Sequence, residues 1–292
     1  MRRSITVNAQ RTRRAARIAL ATVGPALLIT TLAACRGNAE PNASPSLVPG
    51  ASSGGKLTVG IPVDEPGIGM KTGDGYSGFD VETATYVAKA LGVPAENITF
   101  VEAEGDARQQ LLTSGGADLI VSTFSITDER KQVVDFAGPY FNAAQDLLVR
   151  RNEEDITGQG TLTGRTLCTV SGTTSADTIL KQYKGRITLL EKPRYSECVA
   201  ALAASEVDAV TTDDVILAGF AAEPEYKGKL RLVGRGFTKE SYGIGVKKGD
   251  ADMVTKVNAA LKEYVADGSW KAALQKTVGP SGYKLPSPPK IA

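Results

Sequence analysis

The 292-residue chain contains no histidine, a single tryptophan and only three cysteines. Without histidine there can be no Ser-His or Cys-His nucleophile pair, and none of the common His-containing zinc sites. A P-loop and any run of residues at metal-ligand spacing are missing too, so no cofactor is expected. A large excess of charge of one sign is also absent. The formal net charge is +2, and the first 34 residues hold six arginines and no acid, which leaves 28 basic against 32 acidic residues beyond them. A body near −4 lacks the basic stripe that a nucleic-acid partner requires. What remains is ordinary globular composition, 42% hydrophobic and 23% charged, with core enough for one large or two small domains.

One apolar run stands out, Ile18 to Ala34, interrupted by Pro25. It is too short, and too soon followed by polar residues, for a comfortable membrane span. With arginines before it and small residues after it, residues 1–34 read as an export signal, and Arg13-Arg14 is compatible with twin-arginine export. Leu32-Ala33-Ala34-Cys35 resembles the lipobox of bacterial lipoproteins, which implies acylation of Cys35; the plain alternative is ordinary cleavage that leaves Cys35 a free thiol. Residues 35–55 then form the anchored cysteine and a flexible tether rich in Pro, Ser, Gly and Asn, and residues 286–292 are expected to be a disordered tail. With Cys35 lipidated, Cys168 and Cys198 remain as an even pair in an oxidising compartment. They form either two separate buried thiols or a disulfide whose loop of about thirty residues would contribute roughly 3–4 kcal/mol.

The body opens on an alternating strand, Leu57-Thr58-Val59-Gly60-Ile61, and continues through a Gly-rich loop. A helix follows, with Asp80 as its expected cap, Val81, Ala84, Ala88 and Leu91 at helical spacing, and Gly92 as its stop. Ile98–Val101 reads as a strand, Arg108–Thr113 as a helix and Ala117–Val121 as a buried strand. That alternation predicts an α/β architecture with a largely parallel sheet. Leu111–Asp118 is echoed by Ala201–Asp208, each a helix end, a turn and a strand led by an acid, and Leu57-Thr58-Val59 is echoed near Leu167–Val170. The echo fits two similar lobes that bind ligand between them, or chance recurrence of a common unit.

Five residues after the echoed Asp118 and Asp208 stand Thr123 and Asp213, at strand ends where open α/β sheets hold ligands. Arg130 offers a planar fork for a carboxylate, with Thr and Ser hydroxyls beside it in Thr123-Phe124-Ser125. Ser171-Gly172-Thr173-Thr174 starts a helix whose free N–H groups favour an anion, and Asp213 could balance an amine. A carboxylate clamp facing an amine acceptor suits an α-amino acid. Trp270 is read as core packing, and Asp213-Asp214 as neighbours pointing to opposite faces rather than a working carboxylate pair.

The run Thr123–Arg130, followed by Asp135-Phe136-Ala137-Gly138-Pro139-Tyr140, resembles the signature of the polar amino-acid substrate-binding proteins of ABC importers. Gly78–Glu82, Ser171–Thr174, Val207–Val210 and Asp267–Trp270 are similar to its other landmarks, in order, over residues 56–280. The resemblance implies a two-lobed α/β fold of the periplasmic-binding-protein (Venus flytrap) type, with lobes at 56–143 plus 243–285 and at 144–242. Two hinge strands would join them, near Phe141–Val149 and Ser241–Val246. It further implies that Arg130 clamps the ligand α-carboxylate with Thr123, Ser125, Thr173 and Thr174 assisting, that Asp213 holds the α-ammonium, and that the protein is no enzyme. A monomer tethered to the outer face of the membrane would pass its ligand to a permease. Arg108 resembles the arginine of glutamate- and aspartate-binding members, and with Cys168, Cys198 and Asp64–Gly69 it points to actinobacterial glutamate binders; Lys71 is a second candidate contact. Such members usually carry Gln at the position of Glu65. A Glu65 facing the pocket would repel an acidic ligand, so either it points away or the substrate is neutral or basic. Rival implications are a glutamine or asparagine binder, a sensor lipoprotein, or an enzyme resembling cyclohexadienyl dehydratase.

Overall fold

The computed structural model describes residues 55–73 and 75–292. The expected export signal, Cys35 and nearly all of the tether lie outside the described residues. The chain opens with β1 (Leu57–Ile61) and a small antiparallel sheet of β2 (Asp64–Glu65), β3 (Gly69–Thr72) and β4 (Gly75–Ser77). Sequence reading left that sheet as a Gly-rich loop, because strands of two to four residues are too short to show a period. α1 (Phe79–Ala90), β5 (Ile98–Glu102), α2 (Ala107–Ser114), β6 (Leu119–Ile120), α3 (Asp128–Val133) and β7 (Val134–Ala143) complete the first stretch. A second stretch holds β8 (Gln145–Arg150), β9 (Thr166–Val170), α4 (Thr174–Tyr183), β10 (Thr188–Lys192), α5 (Tyr195–Ala203), β11 (Ala209–Asp213), α6 (Asp214–Ala222) and β12 (Leu230–Leu232). The chain then closes with β13 (Glu240–Lys247), α7 (Ala251–Ala266) and α8 (Ser269–Thr277).

Two five-stranded sheets result, ordered β5-β1-β6-β13-β7 and β10-β9-β11-β8-β12. In each sheet four strands run one way and one, β13 or β8, runs against them, so the sheets are mixed, with two parallel and two antiparallel pairings each. The antiparallel pairings involve the strands by which the chain leaves one lobe and returns to it. The crossing out lies between Ala143 and Gln145, and the return lies between Leu232 and Glu240. Ser241–Val246 therefore sits wholly within β13, past the return, because pairing with β7 begins as soon as Glu240 reaches Ala143. At the crossings Gln145 N–H donates to Thr238 Oγ1 at 2.8 Å and Phe237 N–H to the Gln145 carbonyl at 2.9 Å.

The sequence echo is a structural one. Asp118 Oδ2 accepts from Thr58 N–H at 2.7 Å, and Asp208 Oδ2 accepts from Thr166 N–H at 2.8 Å. In return the Asp118 and Asp208 N–H groups donate to the Thr58 and Thr166 carbonyls. Each acid thus starts the pairing of a central strand with its neighbour. Cys168 and Cys198 form a disulfide that ties β9 to α5. Trp270 is buried and its Nε1–H donates to the Tyr140 carbonyl at 2.8 Å. The segment after Pro286 has no helix or strand, yet Ile291 packs against the core and Ala292 N–H donates to the Gly138 carbonyl at 3.1 Å. An expectation of disorder overlooked these two anchors, which composition does not reveal.

Candidate functional site

Both lobes present the C-terminal ends of their parallel strands to one cleft. Past β6 the chain turns at Thr123, whose φ of 40° is left-handed for a β-branched residue and costs about 1–3 kcal/mol. Asp80 holds that turn. Its Oδ2 accepts from Thr123 N–H at 2.8 Å and its Oδ1 from the Tyr140 hydroxyl at 2.8 Å. Asp80 is therefore not the cap of α1, a position that Gly78 occupies. Complete burial pushes the Asp80 carboxyl up to about 7, against the pull of those two donors.

Two arginines face the second lobe. Arg108 reaches from α2, with Nε on the Gly105 carbonyl at 2.9 Å, Nη1 on that of Ser122 at 3.1 Å and Nη2 on that of Gly172 at 3.3 Å. Arg130 places Nη1 on the Ser125 carbonyl at 2.9 Å and Nη2 on the same Gly172 carbonyl at 3.3 Å. Their guanidinium carbons lie 5.0 and 4.8 Å from the Phe124 ring centroid, within cation–π range. Burial and then the neighbouring Arg108 charge pull Arg130 down to about 9. Such a pair of buried cations is relieved by an anion.

From the second lobe, Thr173 caps α4, accepting from Ala176 N–H at 3.1 Å and donating to the Val170 carbonyl at 2.7 Å. Asp213 ends β11, and its Oδ2 accepts from the Tyr242 hydroxyl at 2.5 Å while Oδ1 has no partner among the described residues. Burial, then the Glu240 charge, push Asp213 up to about 7, with the Tyr242 hydroxyl opposing. Asp214 turns the other way and accepts from Ala144 N–H at 3.2 Å. The lobes approach closely: a Cβ on Gly105 would meet the Ser171 carbonyl at 2.7 Å, and one on Gly172 the Asp106 carboxylate at 2.6 Å.

Glu65, Arg108, Thr123, Thr173, Thr174 and Asp213 line one cavity between the lobes. Its free volume of about 20 Å³ suits a water molecule rather than an amino acid. Arg130 and Ser125 are buried beside the cavity and are not among its lining residues. Lys71 is not brought there: it is exposed on β3, with its ammonium 5.6 Å from the Tyr76 ring centroid. Glu65 does not point away, for it is 4% exposed and accepts from Thr123 Oγ1 at 3.3 Å. Burial, then the Glu104 and Asp80 charges, hold its carboxyl well above the usual range. Sequence reasoning missed Ser122, Glu104, Tyr195 and Thr212 in the wall. Thr212 precedes Asp213 and Ser122 precedes Thr123, so the strand-end argument could have found both. Tyr195, which receives a hydrogen bond from Thr212 Oγ1 at 2.7 Å, carries no such signal.

Residues 57–280 match the family of bacterial extracellular solute-binding proteins, family 3. The glutamate-binding protein GluB of Corynebacterium efficiens is 37% identical over 274 residues, covering 90% of this chain and 91% of that protein. The ABC transporter glutamine-binding protein GlnH of Bacillus subtilis is 32% identical over 257 residues, covering 86% and 93%. Among solved structures, an ancestral arginine-binding protein bound to glutamine matches with a TM-score of 0.71 at 32% identity, covering 77% of this chain and 98% of that one.

Proposed function

The chain belongs to family 3 of the bacterial extracellular solute-binding proteins, the amino-acid-binding components of ABC importers, and we propose that its ligand is an acidic amino acid, glutamate before aspartate. The observation that carries this is the Arg108 guanidinium in the cavity wall, a second arginine close by. In this reading the ligand's α-carboxylate goes to Arg130 and its ammonium to Asp213, whose Oδ1, without a partner among the described residues, is an unused acceptor. Arg108 takes the side-chain carboxylate. The likeness to GluB supports the same ligand.

Entry requires the lobes to part, since the cavity is smaller than an amino acid and the Gly172 carbonyl rests on both guanidinia. Ligand carboxylates then replace that carbonyl, and closure is favoured by contacts that exist only when the second lobe returns. A lipid on Cys35 would keep the protein, as a monomer, beside its permease on the outer face of the membrane. Glutamine is the second reading, favoured by Glu65 in the wall, because an ionised Glu65 would accept from an amide N–H.

Calorimetric titration with glutamate, aspartate, glutamine and asparagine tests the proposal, after unfolding and refolding to strip bound ligand. Glutamate should bind at least about tenfold tighter than glutamine, because a charge-assisted hydrogen bond to Arg108 is worth about 1.5–3 kcal/mol. A preference for glutamine would reverse the assignment, and silence from all four would remove it.

A further inference from the structure

Glu65 is the one acidic wall residue that the proposed ligand contacts leave unexplained and that also carries an unpartnered buried atom. It is 4% exposed on β2, its Oε1 accepts from Thr123 Oγ1 at 3.3 Å, and its Oε2 makes no hydrogen bond among the described residues. Both oxygens belong to a side chain that lines the cavity. A buried polar atom without a partner is costly, so one on a side chain that lines a binding cavity points to a contact the ligand completes.

The charges around Glu65 decide what kind of contact that is. Glu104 after β5, Asp80 on α1 and Asp213 at the end of β11 are like-charged, and Arg108 on α2 opposes them. β2 also packs against α5, α6 and β3. From α5 come Tyr195 and Glu197, with Arg194 at the helix start drawn to Glu102 at 2.5 Å. From α6 comes Asp214, bonded to Ala144 N–H, and from β3 comes Lys71, exposed over Tyr76. Arg108 is thus the cation that shares the cavity wall with Glu65. A wall with Glu65, Glu104 and Asp213 all ionised would repel a second ligand carboxylate.

We propose that Glu65 meets the ligand as a neutral carboxylic acid, its Oε2 hydroxyl donating to the side-chain carboxylate of an acidic amino acid that Arg108 also holds. The proton comes from solvent. Burial of Glu65 and its anionic neighbours already favour that neutral form in the ligand-free protein. Two donors then seat one carboxylate, and the unpartnered oxygen gains its bond. The assignment rests on the acidic-ligand reading above and deepens it: selection for an anion over an amide becomes gated by a proton on Glu65. The sign follows from which form binds. Because the neutral form is the donor, this contribution is complete below the folded-state pKa of Glu65 and is lost as pH rises through it.

Glu65→Gln keeps the shape and fixes a neutral donor, so it separates the charge states. Glutamate is titrated into the stripped wild type and into Glu65→Gln from about pH 6 to about pH 9, with thermal melts confirming that both are folded. Asp213 titrates in both proteins, so the ratio removes the part of its contribution that is independent of the Glu65 charge. The variant should bind glutamate within about threefold of wild type at the acid end. Wild type should then weaken by about tenfold or more relative to the variant towards the alkaline end. The inference is overturned if the folded variant loses tenfold or more at the acid end, since an ionised acceptor would then be what the ligand needs. Parallel pH profiles overturn it as well. If wild type binds glutamine tightly and glutamate poorly, the functional reading falls and this inference with it; glutamate binding without the pH divergence removes the inference alone.

Discussion

Asp80 shows how one buried side chain sets the geometry of a cleft it does not line. Its two oxygens receive the Thr123 N–H and the Tyr140 hydroxyl, and through the first they keep Thr123 in a left-handed turn. Asp80→Ala would leave two buried donors without partners, at about 1–3 kcal/mol each. Urea denaturation should show a loss of roughly 2–5 kcal/mol; a loss under about 1 kcal/mol would mean that Thr123 is held by other contacts. Among the cavity-lining residues, Thr123 and Asp213 were legible from their strand-end positions, and Arg108 from its resemblance to the arginine of glutamate- and aspartate-binding members. Glu104 and Tyr195 were not legible, because only tertiary folding brings an extended loop and the start of α5 to the same wall. Lys71 was misplaced for a related reason: sequence gives its type and not the direction in which β3 presents it.

Individual elements were read best where periodicity was long. α1 and β1 were legible from their apolar spacing, while β2, β3 and β4 fell below the length at which any period shows. The repeated Asp118 and Asp208 were visible as an echo, but their shared task, starting a strand pairing, appears only in the hydrogen bonds. The disulfide acts at this scale. It joins β9 to α5, next to Val170 and Tyr195 of the cavity wall, and closes a loop with a sequence separation of 30. Replacing both Cys168 and Cys198 by Ser should lower stability by about 3–4 kcal/mol through the freedom regained by the unfolded chain. Denaturation of the double variant against the oxidised wild type measures this. An unchanged midpoint would show that the loop is already constrained in the unfolded ensemble.

At the scale of the whole molecule, the lobes meet through contacts that, in the proposed reading, have to break for a ligand to enter. The Gly172 carbonyl sits on both guanidinia, Asp64 Oδ2 accepts from Ser196 N–H at 2.8 Å, and Arg194 pairs with Glu102 at 2.5 Å. The mixed order of the two sheets was not legible, because the stretches that form β7, β8 and β13 were expected only as signature residues and hinge strands, and their pairing is set by tertiary contacts. The central claim is that an acidic amino acid is held between the lobes by groups from each. A crystal structure of the stripped protein saturated with glutamate tests it most directly. The account predicts the ligand between the two sheets, its carboxylates on Arg130 and Arg108, its ammonium on Asp213, and the Gly172 carbonyl displaced from the guanidinia. Glutamate bound to one lobe only, or outside the cavity with the Gly172 contacts intact, would contradict it.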